Sequence, residues 1–176
     1  MSQSNKKPVQ GLEFNGEGHF IAESAVIDGN VSLSSHVSIW FNATVSGLDE
    51  TVSVGKGNQI ESGATLEAVQ GHSLRLNDYV MVGENAHLMG CHVGEGCLIG
   101  RECVIAPGAV VGKYSMIAAQ SHIPADMVIP DYALVMGQPA VVEEVLTQAQ
   151  IKTVEQDVLQ AQDVMMGLFK SLGKHS

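Results

Sequence analysis

A six-residue period constrains this chain more than any other feature. Stepping by six from Val93 gives Ile99, Ile105, Val111, Ile117, Ile123, Ile129 and Val135, all β-branched aliphatics. Isoleucine, leucine and valine make up about a quarter of the chain, so eight consecutive hits have a chance probability on the order of 1 in 100,000. Three earlier runs carry the same step: Ile21, Ile27, Leu33, Ile39, Val45; then Val54, Ile60, Leu66; then Leu76, Val82, Leu88. Four residues after an anchor comes a smaller side chain, as at Ala25, Ala43, Ala64, Ala86, Cys97, Cys103, Ala109, Ser115, Ser121 and Ala133. Glycine often follows the anchor directly, as in Val54-Gly55, Val93-Gly94 and Ile99-Gly100.

A period of six fits neither an α-helix nor a simple alternating strand. It fits short flat faces, each with an inward aliphatic, a small residue at the corner and a turn-forming residue beside it. Three faces close one coil of about 18 residues, so the anchors predict about six coils. The expected fold is mainly β: a parallel β-helix of hexapeptide repeats followed by a C-terminal α-helix. Residues 1–17 read as a tail and lead-in, with the basic pair Lys6-Lys7 in a segment expected to be disordered. Residues 18–141 read as the β-helix, with breaks at 46–51 and 67–73 expected to be loop excursions. Residues 142–176 read as the helix. There Thr147-Gln148-Ala149-Gln150 resembles a capping box, and Ile151, Val154, Val158, Ala161, Met165, Leu168 and Leu172 follow at helical spacing.

Composition narrows the function classes. The net charge of −10 without a Lys/Arg cluster argues against nucleic acid and anionic membrane surfaces as partners. No apolar run reaches the length of a membrane span, and the N-terminus has no apolar signal region. Cys91, Cys97 and Cys103 are spaced at the repeat period, which reads as small core residues with free thiols; the expected location is the cytoplasm.

Three phrases carry a family resemblance: Ser38-Ile39-Trp40-Phe41-Asn42-Ala43, Leu88-Met89-Gly90-Cys91-His92-Val93-Gly94, and Leu134-Val135-Met136-Gly137-Gln138-Pro139-Ala140. Over about residues 18 to 175 the chain resembles the γ-class carbonic anhydrases, hexapeptide proteins whose β-helix is left-handed. The resemblance implies a homotrimer with zinc held between subunits by three histidines, where a metal-bound hydroxide attacks carbon dioxide. The family's first histidine follows a phrase matched here by Ile60-Glu61-Ser62-Gly63-Ala64-Thr65-Leu66, so that position is Glu67. The other two lie in a Gly-His-x-x-x-x-His-Gly-Cys phrase, matched by Gly83-Glu84-Asn85-Ala86-His87-Leu88-Met89-Gly90-Cys91. They are Glu84 and Met89. Supporting residues change too. Ser46-Gly47-Leu48 stands where the family has Arg-Gly-Asp, and Glu61-Ser62 where it has Gln-Asp.

The expectation is therefore a carbonic-anhydrase-like trimer without the zinc site and without metal or other cofactor. It would lack carbonic anhydrase activity and serve as a scaffold or bind an unknown small molecule in the intersubunit cleft. Glu67, Glu84 and Met89 mark the altered ligand positions, with Ser46, Glu61, Ser62 and His87 around the cleft. If Glu67 and Glu84 come close together across the subunit interface, one carboxyl pKa should rise. His87, at the last place of its hexapeptide, is expected on a turn and aimed away from the ligand side; His92 and His122 are expected at exposed turns. Two alternatives remain. One is a metal-dependent lyase or hydrolase using altered ligands, for which a carboxylate–thioether set suits zinc poorly. The other is an acyltransferase using coenzyme A, with His72 as the only loop histidine placed to act as base. The acidic Val141-Val142-Glu143-Glu144 segment argues against a phosphate-rich cofactor.

Overall fold

The computed structural model describes residues 12–14 and 18–173, and within them a left-handed parallel β-helix with three faces and one C-terminal α-helix. The basic pair Lys6-Lys7 lies outside the described residues. The first face stacks the strands Phe20–Ala22, Ser38–Ile39, Gln59–Ile60, Met81–Val82, Leu98–Ile99, Met116–Ile117 and Ala133–Gly137. The second stacks the first half of Val26–Leu33 on Thr44–Val54, then Thr65–Glu67, His87–Met89, Val104–Ile105 and His122–Ile123. The third carries the far halves of the two long strands, then Leu74–Leu76, His92–Val93, Val110–Val111 and Val128–Ile129.

The anchors explain why the coils stack. Parallel register places Ile39, Ile60, Val82, Ile99, Ile117 and Val135 in one inward column. Val45, Leu66, Leu88, Ile105 and Ile123 form the second, and Val54, Leu76, Val93, Val111 and Ile129 the third. All of these are at most 3% exposed. Each such burial contributes about 1.5–3 kcal/mol, repeated along the prism. The first coil departs from the pattern. Ile21 is half-buried, its strand covered on the outer side by the antiparallel strand Leu12–Phe14. Leu33 is half-buried and Ile27 exposed on Val26–Leu33, which pairs with Thr44–Val54 alone.

The small residues occupy the corners, where the chain has least room. Cys91, Cys97 and Cys103 sit at three successive corners, aligned with Ala109, Ser115 and Ser121 of the next coil. All three are fully buried and free. The Cys97 and Cys103 thiols donate to Gly112 O and Ala118 O at 3.0 Å, and the Ser115 hydroxyl makes the equivalent bond to Pro130 O one coil on. Burial pushes the Cys91 and Cys97 thiols up to about 12. They are core residues, as their spacing predicts.

Two boundaries differ from the sequence reading. Residues 46–51, expected as a loop, lie within the continuous strand Thr44–Val54. The neighbouring strand advances two residues, Gly29 to Val31, while this one advances five, Gly47 to Val52. The extra residues are accommodated as a bulge whose tip, Leu48-Asp49-Glu50, is exposed. At the other end the helix does not begin at 142. Ala140–Val145 returns antiparallel on Ala133–Gly137, capping the first face, and the helix spans Gln148–Gly173. Val141, Val142 and Val145 alternate poorly with charge, which hid the strand from a periodicity argument.

Candidate functional site

The altered ligand positions fall on the second face and on the corner that leads into it. Strand Thr65–Glu67 pairs with His87–Met89 in the register Thr65↔His87, Leu66↔Leu88, Glu67↔Met89. Leu66 and Leu88 point inward, so the residues flanking them point outward and are half-buried. Glu67 and Met89 are therefore lateral neighbours, as the proposed alignment of ligand positions requires. Ser46 extends the row, in register with Glu67 on its other side.

His87 is where the expectation fails. It is the first residue of a strand, not a turn, and its ring reaches Glu67: Nε2 lies 2.6 Å from Oε1. The hexapeptide frame explains the error. The residue before each anchor is on the flat of the face, and with Leu66 beside Leu88 an outward residue before one anchor stands diagonally from the outward residue after the other. The same correction applies to His92 and His122, which are exposed as expected but begin strands. An ionised carboxylate only accepts, so the His87 Nε2–H donates to Glu67. The two side chains are 40% and 36% exposed.

Glu61, Ser62 and Glu84 form a second group, at the corner between the first and second faces. Glu61 N donates to Val82 O, and Asn85 N to Ser62 O, so the Glu61-Ser62 and Gly83-Glu84 turns lie one above the other. The Trp40-Phe41 phrase borders the same corner, with Gly63 N donating to Phe41 O. Burial, and then the charge of Glu84, raise the Glu61 carboxyl above its ordinary range. Within one chain, the carboxyl that feels Glu84 is Glu61.

The donor set does not fit a zinc site of the three-histidine kind. The positions that the resemblance aligns with the family's imidazoles carry two carboxylates and a thioether, and the Glu67 carboxylate is engaged by His87. Among the described residues of one chain, no three His, Cys, Asp or Glu side chains converge as a metal-binding group.

The second break, 67–73, is a tight turn closed by Val69 N to His72 O and His72 N to Val69 O. Gly71 N donates to Glu50 Oε1 at 3.3 Å, tying this turn to the bulge. His72 lies over the corner at Gly90, where an added Cβ would come within 2.5 Å of the His72 Cβ; with φ +44 there, glycine is required. The ring of His72 is exposed and no other titratable side chain is bonded to it among the described contacts.

Comparison with known proteins places these features. Residues 79–113 and 90–125 match the family model for the bacterial transferase hexapeptide (six repeats). A probable carbonic anhydrase of Methanocaldococcus jannaschii is 39% identical over 139 residues, covering 79% of this chain and 87% of that protein. The mitochondrial gamma carbonic anhydrase 1 of Arabidopsis thaliana is 32% identical over 80 residues, covering 42% of this chain and 29% of that protein. In structure, a hexapeptide transferase family protein from Anaplasma phagocytophilum aligns with a TM-score of 0.67 at 21% identity, over 85% of this chain and 92% of that one. The last likeness is one of fold. No helix among the described residues is long and apolar enough to cross a membrane.

Proposed function

This chain belongs to the γ-class carbonic anhydrase-like family of hexapeptide-repeat proteins, and from that premise we propose that it is a zinc-free member. In this reading it assembles as a homotrimer and binds a small molecule in the cleft between subunits, without hydrating carbon dioxide through a metal. One observation carries the reading. The side chain at the first ligand position, Glu67, is held by His87 at 2.6 Å, and its lateral neighbour is the thioether of Met89. Zinc prefers imidazole and thiolate donors in a tetrahedral set, with one position left open for water. A carboxylate already hydrogen-bonded and a thioether supply neither the donors nor the charge to lower the pKa of a bound water.

The proposal is tested on full-length protein purified without chelator. Metal analysis should find substoichiometric zinc, and stopped-flow carbon dioxide hydration should match buffer, with and without added zinc. One zinc per subunit together with hydration above buffer would overturn it.

A further inference from the structure

We propose that Glu67 and His87 form a metal-free acid–base dyad that activates water toward small carbonyl esters. The inference rests on reading the cleft as zinc-free and names the chemistry that replaces the metal.

The geometry carries it. Both residues sit on strands locked in a parallel ladder, so their backbones are fixed relative to each other by the register on either side of Leu66 and Leu88. Sites mounted on such elements hold their side chains more precisely than sites on loops. Where the Glu67 carboxylate accepts the hydrogen bond from Nε2–H, the neutral form of the ring carries its lone pair on Nδ1. A carboxylate that orients an imidazole also stabilises the imidazolium formed when the ring accepts a proton. This is the role of the third member in hydrolytic triads. Both side chains are partly exposed, so water reaches them.

The surroundings suit an uncharged substrate. Thr65, on the strand of Glu67, is in register with His87, and on the next strand Ser46 is in register with Glu67 and Thr44 with Thr65; all three are half-buried outward residues. Their hydroxyls are neutral donors for a carbonyl oxygen. On the other side His87 is in register with Val104. The nearest other titratable residues on this face are His122, one strand beyond Val104, and Asp28, one strand beyond Ser46.

The step balances without a cofactor. A water O–H bond breaks and its proton goes to His87 Nδ1, while the water oxygen bonds to the carbonyl carbon. The carbonyl electron pair moves onto its oxygen and returns as the bond to the leaving oxygen breaks. The products are an acid and either an alcohol, which takes the proton from His87 as it leaves, or a phenolate, in which case His87 returns the proton to solvent. No nucleophilic serine or cysteine is used: the three cysteines are fully buried.

The test uses the full-length, chelator-treated protein and p-nitrophenyl acetate as probe. Release of p-nitrophenolate should exceed the rate given by the same concentration of free imidazole. His87→Gln should lose that excess, by on the order of 10²-fold, while His122→Gln keeps it. Both variants alter half-exposed or exposed positions, and circular dichroism checks that each is folded. Glu67→Gln should lower the rate and shift the His87 ring, observed by nitrogen NMR, from the Nε2–H tautomer to a mixture; a merely structural role would leave the tautomer unchanged. Wild-type hydrolysis at the imidazole rate, or an undiminished rate in His87→Gln, would overturn the dyad. Hydrolysis that disappears with chelator and returns with zinc would instead overturn the zinc-free reading.

Discussion

Glu61 is the residue at which the altered site touches folding stability. Burial and then the neighbouring Glu84 hold its carboxyl above the usual range. The folded protein therefore binds this proton more tightly than the unfolded chain does. The group's contribution to stability is fully present below the ordinary carboxylate pKa and is lost as pH rises through the raised folded value. At neutral pH an ionised Glu61 opposes folding. Glu61→Gln should raise Tm at pH 7 by about 1–2 °C, a small effect because the part-exposed side chain is screened by solvent. The gain should vanish as the pH falls into the carboxylate range. Calorimetric melting from pH 4 to pH 8 checks this; a Tm offset independent of pH would assign the change to packing. The sequence showed that Glu61 and Glu84 replace family residues, but not that they meet. Their proximity depends on stacking of two turns from successive coils, and the insertions between the coils obscure which turn lies over which.

At the level of elements, legibility followed periodicity. The inward columns were legible from the anchors and the small corner residues, because one side chain decides which way each face points. Two kinds of element escaped. The strand Ala140–Val145 carries no hexapeptide anchor, since it pairs antiparallel and mostly faces solvent. The bulge within Thr44–Val54 keeps strand geometry across residues whose side chains break the period. His87 was misread for a related reason: the period fixes where the anchor points but leaves the outward neighbours unassigned until the register is known. The helix start, by contrast, was written in local chemistry. Thr147 N donates to Gln150 Oε1 at 2.8 Å, and Gln150 N donates to Thr147 Oγ1 at 3.4 Å, the reciprocal bonds of a capping box. Thr147→Ala should cost about 1 kcal/mol, felt mainly by the helix. Amide hydrogen exchange should then speed up about fivefold along the first helical turns. The strands Leu98–Ile99 and Val104–Ile105 should keep their protection, because a stacked-repeat prism is stabilised by its neighbouring coils and not by the helix cap. Faster exchange in those strands would show that helix and prism unfold as one unit.

Across the whole molecule, the fold leaves inward columns and outward positions free to vary independently. Three aliphatic columns run through the prism, while outward positions between them can vary at little cost to the fold, because an outward side chain enters no core contact. This accounts for a chain that keeps 39% identity to a probable carbonic anhydrase across most of its length while carrying Glu67, Glu84 and Met89 at the positions the resemblance aligns with imidazole ligands. In the proposed zinc-free reading the change is reversible. Glu67 and Met89 remain lateral neighbours on one face, and Glu84 remains on the corner leading into it. If the homotrimer forms as proposed, Glu67→His, Glu84→His and Met89→His together should recreate a zinc site between subunits. The triple variant should bind zinc and gain thermal stability on its addition. At free zinc 100-fold above Kd, binding to the folded state alone adds about 2.7 kcal/mol. The parent protein should show no such shift. If the donors come from different subunits, zinc binding should require the assembled trimer and weaken when dilution dissociates it, as light scattering and metal analysis on the same samples would show. A triple variant that binds zinc equally well as a monomer would place all three donors on one chain and refute a site between subunits. A trimeric variant that takes up no zinc would show that the supporting changes at Ser46, Glu61 and Ser62 had already closed the site to metal.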